Sequence, residues 1–314
     1  MNLKNSANTV IIRDVYNDIG SNMISSEPLV DDILRQIFVQ RGKGIRPIFM
    51  ALVGELVGGS WESLRKGAVV IETIHNASLI HDDVVDKSRL RRGVETLNIK
   101  FSNRISVLFG DFVFMKALSL AHTIDIPEAV HIINVAIERM IEGEISESLT
   151  NEFIDEETYL KIIGNKTASL FAASGELAVL LSGVDGYKKD LARELGESVG
   201  MAFQIIDDTL DYNGETDVMG KPQFMDVISG NITLPVIHSL KRLPSDEVEA
   251  LFANKKDSVN RITALVKRND GIEYASEKAG EYVQNAREII DRFEEKKTSA
   301  VFDEFFDMLM TRVC

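Results

Sequence analysis

Apolar residues recur along most of this chain at intervals of three and four, the spacing that gathers one face of an α-helix. The pattern predicts helices at about 28–40, 45–57, 61–86, 96–120, 127–150, 155–182, 187–213, 232–242, 257–268, 271–293 and 298–311. Ser60 ahead of Trp61, and Asp155 ahead of Glu156 and Glu157, are placed as N-caps, where a side-chain oxygen can accept from a backbone N–H of the first turn. Stretches such as VLFGDFVFMKALSLA (107–121) are apolar on nearly every face and predict buried helices of a bundle. No strand–turn–strand series is evident. The segment 213–231, with its glycines and Pro222, predicts a surface loop able to close over a site.

At 314 residues, 45% hydrophobic and 27% charged, the chain can bury a large core. No composition break or linker appears, so the expectation is a single all-α domain over residues 1–314, a helical bundle. A formal charge of −14 argues against nucleic acid and anionic membrane surfaces as partners. One cysteine, Cys314, leaves no intramolecular disulfide and fits a reducing compartment. The first residues lack the apolar core of a signal peptide, and no run approaches the roughly twenty apolar residues that span a bilayer. The expectation is therefore a cytoplasmic protein with no stable membrane insertion.

Against that background one motif stands out, because it occurs twice: DDVVD at Asp82–Asp86 and DDTLD at Asp207–Asp211. Each copy ends an apolar helical run, LIHDDVVD and QIIDDTLD. Residues four apart share a helix face, so Asp82 projects with Asp86 and Asp207 with Asp211. Three carboxylates within about one turn repel one another, and divalent cations relieve the repulsion. Few hard oxygen ligands, open to water, suit magnesium bridging protein carboxylates to substrate phosphates. A single such motif is usually a solvated acidic face. Two copies with matched lead-ins point instead to a diphosphate held through several metal ions.

A diphosphate also needs cations. Lys43 and Arg46 lie in RGKGIRP beside a helix start at Pro47, where backbone N–H groups attract anions. Arg91 and Arg92 follow the first acidic motif by a short loop, Lys166 and Thr167 lie in GNKTASLF, and Lys221 lies in MGKP. Any one of these is more often a surface charge; their weight comes from occurring with the two acid clusters.

The ordered set GKGIRP, IHNASLIHDDVVDKSRLRRG, FGDF, GNKTASLF, FQIIDDTLDY, MGKP and GNITLP resembles the trans-polyprenyl diphosphate synthases, over about residues 40–240. The resemblance implies an all-helical isoprenoid-synthase bundle around an apolar tunnel. It also implies a homodimer and magnesium, with three ions per site once substrate is bound. Carried over by motif, Lys43, Arg46, His75 and Arg92 hold isopentenyl diphosphate, and Arg91, Lys166 and Lys221 hold the allylic diphosphate. Asp82, Asp86 and Asp207 are the direct metal ligands, with Asp83, Asp208 and Asp211 supporting them or binding through water. Thr167 and Gln204 position the reacting groups.

The implied reaction breaks the allylic carbon–oxygen bond, adds the double bond of isopentenyl diphosphate to the resulting cation and loses a proton, with no protein nucleophile. Chain length is read from the helix before the first acidic motif. Ala77, Ser78 and, a turn further down, Ile74 place no aromatic floor there, and at about 1.5 Å per residue the helix from Trp61 to Asp82 leaves room for several isoprene units. The expectation is a medium- or long-chain product, with a floor from Phe112 or Phe114, and hence a short-chain product, as the alternative. Two positions depart from the usual pattern: Glu147 in GEISES replaces a glutamine, and Asn231 in GNITLP replaces a lysine. His81 is read as a packed residue. A terpene cyclase would not need the Lys43, Arg46 and Arg92 set, a non-catalytic subunit would tend to lose its acidic motifs, and a di-iron bundle would need Glu-x-x-His pairs.

Overall fold

The computed structural model describes residues 6–38, 41–150, 153–184, 186–213, 231–253, 255–293 and 299–311. The chain begins with helices α1 (Ser6–Asn22), α2 (Pro28–Phe38), α3 (Ile45–Leu56) and α4 (Trp61–Val85). A hairpin of β1 (Leu90–Arg91) and β2 (Val94–Glu95) follows, then α5 (Leu97–Lys100), α6 (Asn103–His122) and α7 (Pro127–Leu149). Helix α8 (Glu156–Ile163) runs through a π turn (Gly164–Ala168) into α9 (Ser169–Leu181), and α10 (Tyr187–Asn213) comes next. The remaining helices are α11 (Leu234–Leu240), α12 (Ser245–Ala253), α13 (Lys255–Arg268), α14 (Gly271–Asp291) and α15 (Ser299–Met310).

The all-α reading holds, and the caps form: Ser60 accepts from the Ser63 N–H at 3.3 Å and Asp155 from Thr158 at 2.8 Å. Four local features lie outside the sequence reading. Helix α1 buries only Val15, Tyr16 and Ile19 of its own residues, so its apolar stripe is thin in a polar stretch. Helix α12 is short and acid-rich. The helix expected over 96–120 is broken at Phe101 and Ser102, where Ser102 caps α6 by accepting from Ile105 at 3.3 Å. The hairpin is the fourth: Leu90 pairs with Glu95 and Arg91 with Val94. Its turn residues Arg92 and Gly93 both have positive φ, 53° and 81°, the backbone of a tight type I′ connection. A left-handed arginine is strained by about 1–2 kcal/mol, so surrounding contacts have to hold it there.

The expectation of one domain over 1–314 meets a chain whose contacts cluster into two compact units, Met1–Ile137 with Ala173–Arg193 and Glu138–Ala172 with Glu194–Cys314. The boundaries fall inside α7, α9 and α10 and not in linkers. In the first unit Phe49, Met50, Leu64, Ile71 and Ile74 are fully buried; in the second, Phe171, Phe293, Phe302 and Phe306 are. Burying one such side chain is worth roughly 1.5–3 kcal/mol. One apolar run was underestimated: α6 is long and apolar enough to cross a bilayer by length and composition, with a mean hydropathy of 1.4. Its Phe109, Val113 and Ala117 are buried, and its opposite face carries exposed Leu108 and Met115 beside Arg104 and Asp111.

Candidate active site

In the first unit the acidic motif occupies the last turn and the C-cap of α4. The Asp86 N–H donates to the Asp82 carbonyl at 2.8 Å, and Ser88 turns back to the Asp83 carbonyl at 3.0 Å. The aligned carbonyls make a helix C-terminus its negative end, so acids there are unfavourable without a cation. The middle residue solves this within the protein. Asp83 is buried, and its Oδ1 accepts from Arg91 Nε and Nη2, both at 2.8 Å. Asp82 is half-buried and Asp86 exposed, one helical turn apart.

The hairpin positions the arginines. Thr96 Oγ1 donates to the Ser88 carbonyl at 2.7 Å, and Asn98 Nδ2 lies 3.1 Å from the carbonyls of both Asp83 and Ser88. These bonds tie α5 and the hairpin to the end of α4. Arg91, assigned by motif to the allylic diphosphate, is thereby committed to Asp83. Arg92 reaches back over the RGKG loop: a Cβ added at Gly42 would lie 2.6 Å from Arg92 Nη2. Arg46 is buried in the first turn of α3, and Lys43 is exposed ahead of it. His75, half-buried on α4, is held well below the usual imidazole pKa by burial and by the charges of Arg46, Arg92 and Arg91. It is therefore neutral and able to donate an N–H without adding a charge. A cavity of about 120 Å³ lies against Asn76, Ile80, Asp83, Arg91, Arg92 and Thr96. His81 is a packing residue, as read: its Nε2 is 3.1 Å from the Val107 carbonyl and its ring lies 5.7 Å from that of Phe114.

Along α4, Ile74 and Ala77 are fully buried, and Ser78, half-buried, donates to the His75 carbonyl at 3.0 Å.

In the second unit the π turn carries Lys166 and Thr167. A π turn inserts one extra residue into a helix and is found mostly at functional positions. Here it is packed closely against its neighbours. A Cβ at Gly143 of α7 would sit 2.4 Å from the Lys166 backbone nitrogen, and one at Gly200 of α10 would sit 2.5 Å from Ala168 Cα. Two side chains flanking it are also fixed, since Arg139 Nε donates to Asn165 Oδ1 at 3.2 Å. The close approach of α7 brings Glu144 Oε2 to 2.6 Å from the Lys166 ammonium, which also pairs with Glu147. Glu147, where the resemblance expects a glutamine, is thus a partner of Lys166.

The second acidic motif repeats the logic of the first. Asp208 is buried and accepts from Tyr159 Oη at 2.6 Å and from Gln204 Nε2 at 2.7 Å. Gln204 Oε1 in turn accepts from Thr167 Oγ1 at 2.7 Å, so a continuous chain links the π turn to the motif. Burial pushes the Asp208 carboxyl up to about 7; those two hydrogen bonds oppose the shift, and the charges of Asp207 and Glu147 add to it. Asp207 is exposed and Asp211 half-buried, a turn apart on α10. Lys221, Pro222, Cys314 and nearly all of the expected lid at 213–231 lie outside the described residues; Asn231 is half-buried.

Among the described residues, no three His, Cys, Asp or Glu side chains already converge as a metal cage. Magnesium does not require one, since it keeps several waters and takes one or two protein carboxylates plus substrate phosphates. Asp82, Asp86, Asp207 and Asp211 are hard oxygen donors on accessible faces, and they fit that demand. Asp83 and Asp208 already have protein donors and fit the supporting role. Sequence reasoning missed Glu144, Tyr159, Tyr16 and Glu72. Of these only Glu72, an acid inside the apolar run VVIETIH, left a signal.

Three comparisons agree with this geometry. The polyprenyl synthetase family model matches residues 27–268. A prenyl transferase of Synechocystis sp. is 37% identical over 294 residues, covering 91% of this chain and 90% of its own. An octaprenyl diphosphate synthase of Haemophilus influenzae is 31% identical, covering 89% and 87%. The crystal structure of a polyprenyl synthase from Caulobacter crescentus, complexed with calcium and isoprenyl diphosphate, superposes with a TM-score of 0.90 at 29% identity, over 98% of this chain and 96% of that one.

Two outcomes follow from the helix-end charges and the glycine contact. Asp86→Asn should raise the melting temperature of the metal-free protein by about one degree, about 0.3–1 kcal/mol, while turnover with metal falls by at least an order of magnitude. A lower metal-free melting temperature in calorimetry would count against the repulsion argument. Gly143→Ala should cost roughly 1–3 kcal/mol of stability and raise KM for the diphosphate held by Lys166, because the added methyl displaces the π turn. Unchanged kinetics and melting would remove that packing constraint.

Proposed function

Since the chain belongs to the polyprenyl synthetase family, we propose that it uses magnesium to condense isopentenyl diphosphate with an allylic diphosphate, giving an all-trans polyprenyl diphosphate of medium or long chain. The observation that carries this reading is the shared design of the two acidic motifs. In each, the middle aspartate is buried against protein donors while the outer pair stays on an accessible face at a helix end. We assign Asp82, Asp86, Asp207 and Asp211 to cations that also hold a diphosphate.

Magnesium, when bound there, supplies Lewis-acid withdrawal of electrons from the allylic leaving group, with three ions as the proposed complement. The protein's own groups do the rest. Lys43, Arg46, Arg92 and neutral His75 hold the diphosphate of isopentenyl diphosphate, the arginines as forked donors. Lys166, with Lys221 and Arg91, stabilises charge on the departing allylic diphosphate. For this Lys166 has to exchange Glu144 and Glu147 for phosphate oxygens, and Arg91 has to loosen from Asp83. The allylic carbon–oxygen bond breaks with its electron pair going to the diphosphate. The double bond of isopentenyl diphosphate then forms the new carbon–carbon bond. The proton lost from the adjacent carbon goes to the released diphosphate. Thr167 and Gln204, fixed by the chain to Asp208 and Tyr159, keep the π turn in place through the cycle. Apolar walls exclude water that would quench the cation.

Small Ala77 and Ser78 on α4 support a long product, as does the octaprenyl product named for the Haemophilus influenzae relative. Phe114, the alternative floor, packs on His81. The apolar residues of α6 at Leu108, 54% exposed, and Met115, 60% exposed, support a homodimer that covers them. Sedimentation of the wild type at monomer mass would count against that dimer.

The test is incubation with radiolabelled isopentenyl diphosphate, magnesium and allylic primers of ten, fifteen or twenty carbons, with the dephosphorylated chains resolved by chromatography. The expected result is a ladder extending beyond the primer to about thirty carbons or more, abolished by chelation and by Asp82→Ala or Asp207→Ala; the length follows from small Ala77 and Ser78 on a helix that rises about 1.5 Å per residue. No incorporation with any primer overturns the reaction. Ala77→Phe should shorten the products at unchanged chemistry, and an unchanged ladder would show that the growing chain does not pass this position.

A further inference from the structure

Glu72 lies on α4 one turn before Asn76 and is only 2% exposed. An ionised carboxylate at such a depth costs several kcal/mol unless paired and hydrogen-bonded, so its surroundings matter. Tyr16 of α1, itself 4% exposed, donates its hydroxyl to Glu72 Oε1 at 2.7 Å. The same hydroxyl accepts from the Gly42 backbone N–H at 2.6 Å. Gly42 is wedged between two groups, since a Cβ built on it would lie 2.6 Å from both Tyr16 Oη and Arg92 Nη2. From the same helix, Asn76 Nδ2 donates to the Glu72 carbonyl at 2.6 Å. Burial raises the Glu72 carboxyl pKa, and the hydrogen bond from Tyr16 and the charges of Arg46 and Arg92 oppose that rise without cancelling it. The carboxylate therefore feels both guanidinium groups, although neither Glu72 nor Tyr16 belongs to any of the phosphate-binding motifs.

We propose that Tyr16 and Glu72 are a positioning pair for the isopentenyl diphosphate cradle: Glu72 is the buried counter-ion of Arg46 and Arg92, and the Tyr16 hydroxyl fastens the RGKG backbone to that counter-ion. The pair acts through the arginines and the loop, and it rests on the function proposed above. Arg46 and Arg92 repel each other before the anion arrives, and a fixed negative charge behind them keeps both in place for phosphate oxygens. The left-handed backbone of Arg92 is held in the same way, because its guanidinium is packed against the Gly42 segment that Tyr16 secures. Helix α1 thereby contributes to substrate binding although it precedes every motif.

The test compares the full-length wild type with Tyr16→Phe, Glu72→Gln and Glu72→Asp. KM for isopentenyl diphosphate is measured at saturating allylic primer, and KM for the primer at saturating isopentenyl diphosphate, with melting temperatures alongside. Tyr16→Phe keeps the packed ring and removes one hydroxyl. It should raise KM for isopentenyl diphosphate about tenfold, equivalent to about 1.4 kcal/mol, and leave the primer's KM within about twofold. Glu72→Gln keeps the shape and removes the charge, and should show the same one-sided loss, partly rescued in Glu72→Asp. Parallel rises in both KM values, or lower stability with KM for isopentenyl diphosphate unchanged, overturn the pair as a positioning device. Failure of the wild type to incorporate isopentenyl units overturns the proposed function and this role together, whereas normal wild-type turnover with unaltered KM in the variants overturns the role alone.

Discussion

A carboxylate near the C-terminal end of a helix meets the negative end of the aligned backbone dipoles, and this chain places two triplets of them there, at the ends of α4 and α10. Much of the local architecture answers that one electrostatic problem. The middle acid of each triplet is taken out of the conflict by burial against specific donors, Arg91 for Asp83 and Tyr159 with Gln204 for Asp208. The outer acids remain accessible at a helix end, where a cation is the natural remedy. Stability given up in this way at two helix ends is a pattern common to sites that work by electrostatic preorganisation.

The cationic side shows the converse solution. In the first unit the charges of Arg46 and Arg92 bear on both His75, which burial leaves uncharged, and the buried Glu72. In the second unit Lys166 rests between Glu144 and Glu147. An anion that binds Lys166 replaces those carboxylates, which avoids the larger cost of abandoning a bare charge in a partly dry site.

Both arrangements depend on backbone closeness that only glycine permits. Gly42 admits the Tyr16 hydroxyl and the Arg92 guanidinium, and Gly143 brings α7 onto the π turn so that its glutamates can reach Lys166. These are steric conditions on electrostatic contacts. A methyl group at either place would separate the charges by an ångström or more and weaken a short-range interaction steeply.

Most of the helices, the two acidic triplets and the motif cations were legible along the chain, because helical periodicity and residue spacing are local properties. It could equally be read that Asp82 and Asp86 share a face, since one turn of helix fixes this. The thin stripe of α1, the two-residue strands beside Arg92 and the π turn under Lys166 were not legible, because each is stabilised by contacts with distant residues and contradicts or barely exceeds local propensity. Nor could spacing say that Arg91 is held by Asp83, that Asp208 is held by Tyr159, or that Tyr16 reaches Glu72 across 56 residues of chain. Those pairings were decided by the tertiary structure, because a buried charge is tolerated only where the fold delivers a partner to it, and that partner comes from another element of the chain.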